Sequence, residues 1–191
     1  MCQKKDINNY LRLLNEATGR LRDEKSLVRK RAICLIGKII SMYTIIYKCD
    51  HFYTREEIKV MIDVYRQKIE EKEEKMEILQ IDDKKHPEEK EQNKAEINLL
   101  TEEIEKNDEL IDYFKSFYEV LDNIDQVVPC VTQLLNSRNV SDILESIDLF
   151  LTLHHYRVES SEKEIRKMLV LIMKNENSIK KKVVETFRYL F

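Results

Sequence analysis

Glycine and proline each occur only twice in 191 residues, and tryptophan does not occur at all. All-β sandwiches and barrels need turn residues every few positions, so this composition excludes them. Phosphate-cradling loops need several glycines in a short stretch. Gly19 and Gly37 stand alone, which excludes nucleotide hydrolysis through such a loop. Cys2, Cys34, Cys49 and Cys130 are scattered, with no C-x-x-C pair. Zinc spacing is therefore absent, and a disulfide framework is not expected. No signal-peptide pattern precedes the first polar residues. The longest apolar run, Ala32 to Tyr47, is too short for an ordinary membrane span and contains Lys38. These absences leave a helical protein of the cell interior, with no membrane partner and no small-molecule substrate expected.

Charge is plentiful, at 36% of residues, and unevenly spread. Residues 1–48 carry a net +7, residues 49–156 a net −14 and residues 157–191 a net +4. Two basic ends thus flank an acidic middle. Basic blocks attract phosphate backbones, although charge alone equally describes a solvated helix face.

Helical periodicity runs along almost the whole chain. Ile7, Tyr10, Leu11 and Leu14 mark a first amphipathic helix ending near Gly19. Asp23 or Ser26 caps a second, running to about Tyr47. Thr54-Arg55-Glu56-Glu57 fits a capping box and opens a third. That helix places Ile58, Ile62, Tyr65, Ile69, Met76 and Leu79 in a heptad seam, with Lys72 at one seam position. The pattern breaks at Asp82 to Pro87. It resumes at Ile97, Leu100, Ile104, Ile111, Phe114, Tyr118 and Leu121, with Asn107 in the seam. Two heptad helices about a short break predict an antiparallel hairpin. Equal arms about Pro87 would bring Ile62 near Ile111 or Phe114. Further helices are expected over Ile124 to Leu135, after a cap at Asn139 or Ser141, after a Ser161-Glu162-Lys163-Glu164 capping box, and over Ser178 to Phe191. The third of these should bury Ile165, Met168, Leu169 and Ile172, and the last Ile179, Val183, Phe187 and Leu190. The last helix shows no Gly or Asn stop signal, so the chain reads as one segment of something longer.

Asp23, Val28, Arg29, Ala32 and Gly37 resemble the HEAT-repeat signature of an acidic turn, a Val-Arg pair, a small residue and a following glycine. Lys174 to Val183 repeats it, with Ile179, Lys180 and Val183 at the corresponding places, and Ser137 to Ile143 is a looser copy. A helix pair of this kind has a face it cannot bury alone, so pairs stack into a solenoid. A more specific likeness covers residues 113–191. Leu134-Leu135-Asn136-Ser137-Arg138-Asn139, then Asp142 to Phe150, then Ile165-Arg166-Lys167-Met168-Leu169, then Val184 to Phe191 resemble the condensin subunit 1 family in that order. Glu164 and Met173 depart from the family pattern, which has a small residue and an aromatic or Val-aromatic pair there.

The resemblance implies an all-α HEAT solenoid segment interrupted by a charged antiparallel helical hairpin. The expected organisation is a HEAT-like helix pair over 1–53, a hairpin insert over 54–110 and further pairs over 111–191. It also implies a non-catalytic condensin scaffold supporting mitotic chromosome condensation and segregation. Its partners would be an SMC ATPase pair, a kleisin subunit and chromosomal DNA, in the nucleus and on chromosomes with a cytoplasmic pool. Two other readings stand beside it: a HEAT-type protein scaffold unrelated to chromosomes, and a coiled-coil tether.

No catalytic, cofactor or metal residues are assigned. His154 and His155 are adjacent, and neighbours on a helix point about 100° apart, so they do not chelate one ion together. The candidate DNA-backbone contacts are Arg29, Lys30 and Arg31 near the start of the second helix, Arg166 and Lys167, and Lys180, Lys181, Lys182 and Arg188 on the last. Phosphate contacts need only Lys or Arg reaching a backbone, with no base readout.

Overall fold

The structure, a computed structural model, describes residues 3–46, 52–85 and 90–190. The Tyr47 helix end, Cys2, Cys49, His51, the His86-Pro87 break and Phe191 lie outside them. Among the described residues the regular structure is all helical: α1 Gln3–Arg20, α2 Ser26–Ile46, α3 Arg55–Lys85, α4 Lys90–Leu134, α5 Val140–His155, α6 Glu162–Lys167 and α7 Asn177–Leu190. Short 3-10 segments occupy Glu159–Ser161 and Met168–Met173. No described helix is long and apolar enough to cross a membrane.

The chain divides into two compact units, residues 1–54 with 119–191, and residues 55–118. The first is a stack of helix pairs. α2 packs on α1 and on α5, and α5 packs in turn on α7. The end of α4 supplies Val120 and Ile124 beside Tyr10, Leu14 and Ile40. Thr132 of α4 donates to Glu164 of α6. Two layers result, with α1, the end of α4, and α6 in one and α2, α5 and α7 in the other. The core is formed by fully buried side chains such as Ile36, Ile40, Ile124, Ile147 and Phe150. An aromatic cluster closes it near the α2 terminus: Tyr43 stacks on Phe52 at 5.6 Å and meets Tyr10 edge-on at 6.1 Å.

Local chemistry sets the boundaries. Asn139 caps α5, its side chain accepting from the Ser141 amide at 2.9 Å. α5 ends without a glycine. Arg157 takes the left-handed conformation at φ 56°, and the Val158 amide reaches back to the Leu153 carbonyl. Ser161 does not form the expected capping box. Its hydroxyl donates to the Val158 carbonyl, and Glu164 is engaged by Thr132 and Lys167. The separate helix expected over Ile124 to Leu135 is the end of α4, which runs unbroken from the hairpin. Nothing between Leu121 and Ile124 stops a helix there, and the Asn123 side chain donates within it to the Glu119 carbonyl. Pro129 is accommodated inside it, without a backbone donor of its own.

The second unit is an antiparallel hairpin of α3 and the first part of α4. As the α3 number rises, its partner on α4 falls. Arg55 lies over the Tyr118 ring, Tyr65 stacks on Phe114, Lys72 pairs with Glu103 and Met76 accepts from Thr101. Phe114 stacks on Tyr65, the next seam residue of α3 after Ile62, with ring centroids 6.0 Å apart. Ile58, Ile111, Phe114 and Phe117 are buried. Ile62, Ile69, Met76, Leu79, Ile97, Leu100 and Ile104 are half-buried. Two helices alone cover each other's seam from one side only.

Candidate functional site

The first-unit surface that engages three of the nine predicted cations is built on α5, which presents Asp142, Glu145 and Asp148 at a spacing of three. Such spacing puts the three carboxylates along one side of the helix. α2 and α7 flank α5 and aim their cations at this row. Arg29 of α2 donates through Nε and Nη2 to Asp142 Oδ2, the Nε bond measuring 3.1 Å. Its Nη1 donates to the carbonyls of Asp23 and Glu24, at 2.7 and 2.9 Å. Ser137 donates to the same carboxylate oxygen at 2.8 Å. Asp142 is fully buried, and its Oδ1 has no hydrogen-bond partner. The pair therefore ties the turn before α2 to the turn before α5.

One helical turn further along, Lys30 Nζ lies 2.9 Å from Glu145 Oε1, and the Cys34 thiol donates to Oε2 at 3.1 Å. The side-chain hydrogen bond to Glu145 raises the Lys30 ammonium above its ordinary pKa. Burial pushes the Glu145 carboxyl up, but the bonds from Cys34 and Lys30 outweigh it and hold the group below the usual carboxylate range. Burial, then the bond to Glu145, raises the Cys34 thiol, so this sulfur is a proton donor and not a thiolate nucleophile. Lys182 of α7 pairs with Asp148 at 2.5 Å. Between α2 and α5 lies a groove of about 570 Å³, lined by Ile33, Gly37, Met42, Leu149 and the Cys34–Glu145 pair.

The nine predicted contacts therefore fall into two groups. Arg29, Lys30 and Lys182 are engaged by the α5 carboxylates. Lys167 pairs with Glu164 at 2.6 Å, and Lys181 lies 3.9 Å from Glu185. Arg31, Arg166 and Arg188 are exposed and Lys180 is half-exposed, and among the described residues none of the four makes an ion pair. The acid row of α5 was missed in the sequence reading. Its signal was present as Asp142, Glu145 and Asp148 at one spacing, between two helices rich in cations. Among the described residues no three His, Cys, Asp or Glu side chains converge to hold a metal ion. His154 is half-buried, and His155 is exposed and packs edge-on against Tyr156 at 4.9 Å.

No family model matches this chain. Among curated proteins it is similar to "Condensin complex subunit 1" of Xenopus laevis, at 23% identity over 119 residues. That similarity covers 57% of this chain but only 9% of the relative, so the chain matches a small part of a far longer protein.

Proposed function

We propose that this chain is a segment of a non-catalytic, condensin-like scaffold: stacked HEAT-type helix pairs over 1–53 and 111–191 around a hairpin insert over 54–110. The observation that carries the reading is the two-layer stack of helix pairs, joined through the Arg29–Asp142 bridge, in the region where the sequence resembles condensin subunit 1. The similarity to the Xenopus protein supports it. In this reading the scaffold works in the nucleus and on chromosomes, drawing on a cytoplasmic pool, and acts in mitotic chromosome condensation and segregation. A kleisin subunit and an SMC ATPase pair are its protein partners. The ATPase chemistry belongs to those partners, in keeping with a chain whose two glycines stand alone.

Duplex DNA is met through its phosphates. Arg31, Arg166, Lys180 and Arg188 are the contacts best placed for it, since their charge is not neutralised by a carboxylate. Lys30, Lys167, Lys181 and Lys182 add to the field from their ion pairs, and Arg29 acts by holding the turns. The test is duplex binding by the purified chain across a salt series. Log affinity should fall linearly with log salt, with a slope near 0.9 per phosphate neutralised. Combined reversal of Arg31, Arg166 and Arg188 to Glu should lower both affinity and slope. Reversal of Lys59 and Lys94, exposed on the hairpin, should do neither. Equal effects from both sets would remove DNA from the reading. Co-purification with a kleisin and an SMC pair tests the remainder.

A further inference from the structure

Residues 162–174 carry α6 into the turn before α7, and over the six residues Met168–Met173 the helix tightens to the 3-10 form. Runs beyond about three or four residues are uncommon, because the hydrogen-bond geometry is poorer than in an α-helix. Nothing local asks for it here. The stretch Met-Leu-Val-Leu-Ile-Met holds no glycine or proline, and leucine and methionine are good α-helix formers. The sequence reading accordingly expected an α-helix burying Ile165, Met168, Leu169 and Ile172. At about three residues per turn the inward column is instead Ile165, Met168 and Leu171, all buried. Leu169 and Ile172 are left 47% and 39% exposed. Packing on α7, not local preference, selects this winding.

The segment therefore carries two alternative inward faces. Counted from Ile165 with an α-helical turn of about 100° per residue, Leu169 and Ile172 fall within about 40° of it, and Leu171 lies about 120° away. With a 3-10 turn of about 120° per residue, Leu171 returns to the Ile165 line and Ile172 swings about 120° off it. A leucine and an isoleucine thus exchange places through a change of winding alone, while Ile165 and Met168 serve both forms. Length changes with the winding. At rises of about 2.0 and 1.5 Å per residue, six residues shorten by about 3 Å on passing to the α form. The far end has little slack to absorb this. Lys174 is already extended, its amide donates to the Leu171 carbonyl at 3.0 Å, and only Asn175 and Glu176 separate it from α7. We infer that residues 168–173 are a two-state joint, 3-10 with Leu171 inside or α-helical with Ile172 inside, whose change of length shifts α7 along α5. Packed cores accept discrete arrangements of this kind more readily than continuous deformation. The ion pair that bridges α7 and α5, Lys182–Asp148, is half-exposed and yields easily, since such pairs are worth little. Lys180, Lys181 and Arg188 move with α7. The inference goes beyond the condensin reading and does not depend on it.

The test is methyl relaxation dispersion on the full chain labelled at isoleucine, leucine and valine, which reports μs–ms exchange. Leu171, Ile172 and, on α7, Ile179 and Val183 should share one exchange rate and a minor state populated at about 1–10%. Ile36, in the core of α2, should be silent. Ile172→Ser, at a partly exposed residue, should lower the minor population at least about tenfold, because only the α form buries that side chain. Leu171→Ala should raise it at least about tenfold, because only the 3-10 form buries that one. It should also shield the Ile172 δ1 methyl from a soluble paramagnetic agent. Flat profiles at Leu171 and Ile172 would overturn the inference. So would exchange that survives Ile172→Ser, as simple fraying would, or that grows with protein concentration, as self-association would. Exchange confined to residues 168–173, with α7 silent, would overturn it as well. Should Leu171→Ala fail to fold, Val170→Ala leaves every buried side chain in place and favours the α winding, since Val170 is 70% exposed. It should raise the minor population about twofold, and no rise would sink the joint.

Discussion

The helix-pair stack and the hairpin are built from the same alphabet of Ile, Leu, Lys and Glu, but they place their polar groups differently. In the stack, helices such as α2 and α5 are covered by more than one neighbour, so Ile36, Ile147 and Phe150 lose all contact with water. The charged pair Arg29–Asp142 is drawn inside with them, its arginine side chain 16% exposed and its aspartate fully buried. In the hairpin each helix has one partner, the seam from Ile62 to Ile104 is half-buried, and the cross-helix pair Lys72–Glu103 stays wet, with Glu103 54% exposed. The same chemistry therefore carries different energies in the two units. A charge pair is decisive where water is excluded and nearly neutral where it is not.

The largest expected effect tests that contrast directly. Asp142→Ala leaves a guanidinium and two turns without their shared acceptor in a buried place. Breaking such a pair costs about 3–5 kcal/mol. Glu103→Gln in the hairpin should cost far less, as exposed pairs do. Urea unfolding of both variants measures the two. Comparable losses would mean that Arg29–Asp142 is as solvated as Lys72–Glu103, and the distinction between the units would collapse.

Among the described polar side chains of the hairpin, Asn107 is an exception to this wetness. Asn107 occupies a seam position, is 8% exposed, and its amide nitrogen has no hydrogen-bond partner. A buried donor left unsatisfied costs about 1–3 kcal/mol, while a polar seam residue fixes register. Asn107→Leu should therefore raise the stability of the hairpin by about 1 kcal/mol or more, and loosen its register. Disulfide trapping between cysteines introduced at 65 and 114, and at 62 and 114, reads the register. If stability falls, or if crosslinking stays confined to the 65–114 pair, Asn107 is neither a stored cost nor a register device.

How far the sequence discloses this architecture follows from where its signals are local. The heptads of α3 and α4 and the Asn139 cap depend on neighbours a few residues away, and they were legible. The continuity of α4 was not, because a change of packing partners near Glu119 resembles a break in an apolar pattern. The 3-10 run escaped because Met168 to Met173 is apolar at every position, so no period stands out until the tertiary partners choose Ile165, Met168 and Leu171. The state of the candidate contacts was equally hidden. Arg29, Lys30 and Lys182 read as basic patches in one dimension, and only the packing of α5 between α2 and α7 sets a carboxylate against each.

Backbone substitutions separate the units on a smaller scale. Arg157 is held at φ 56° at the end of α5, where a side chain is disfavoured by about 1–2 kcal/mol. Arg157→Gly removes that strain, offset in part by the freer unfolded chain, for a net gain of about 0.5 kcal/mol. Gly37 sits inside α2, where a methyl group would meet Leu149 Cδ1 at an ordinary 3.6 Å. Gly37→Ala should therefore stabilise by about 0.4–1 kcal/mol. Thermal melts should rise for both, and the rise should be confined to amides of the stack in hydrogen exchange. A fall for Gly37→Ala would show that the α2–α5 groove needs its open floor.

The smallest effect is electrostatic, and it compares one carboxylate from each unit. Glu145 and Glu103 are both held below the usual carboxylate range, Glu145 against burial, which favours its neutral form, and Glu103 chiefly by its hydrogen bond to Lys72. A depressed carboxylate contributes stability that is fully present above its unfolded value of about 4.3 and is lost as pH falls through its folded value. Both contributions are therefore complete and independent of pH near neutrality, and are lost on the acid limb below about pH 4.3. They differ in their exposure to salt. The Glu145 side chain is 20% exposed and is held by a thiol as well as a lysine, whereas Glu103 is more than half exposed and is held by lysine ammonium groups, Lys72 foremost. At 1 M salt the screening length falls to about 3 Å, and exposed attraction fades before partly buried hydrogen bonding does. Carboxyl titration by NMR should accordingly show Glu103 moving back toward its ordinary value at high salt while Glu145 stays depressed. Cys34→Ala should raise Glu145 at either salt concentration by removing the thiol donor. Parallel movement of the two carboxyls with salt, or a Glu145 indifferent to Cys34→Ala, would place the α2–α5 groove in the same wet regime as the hairpin.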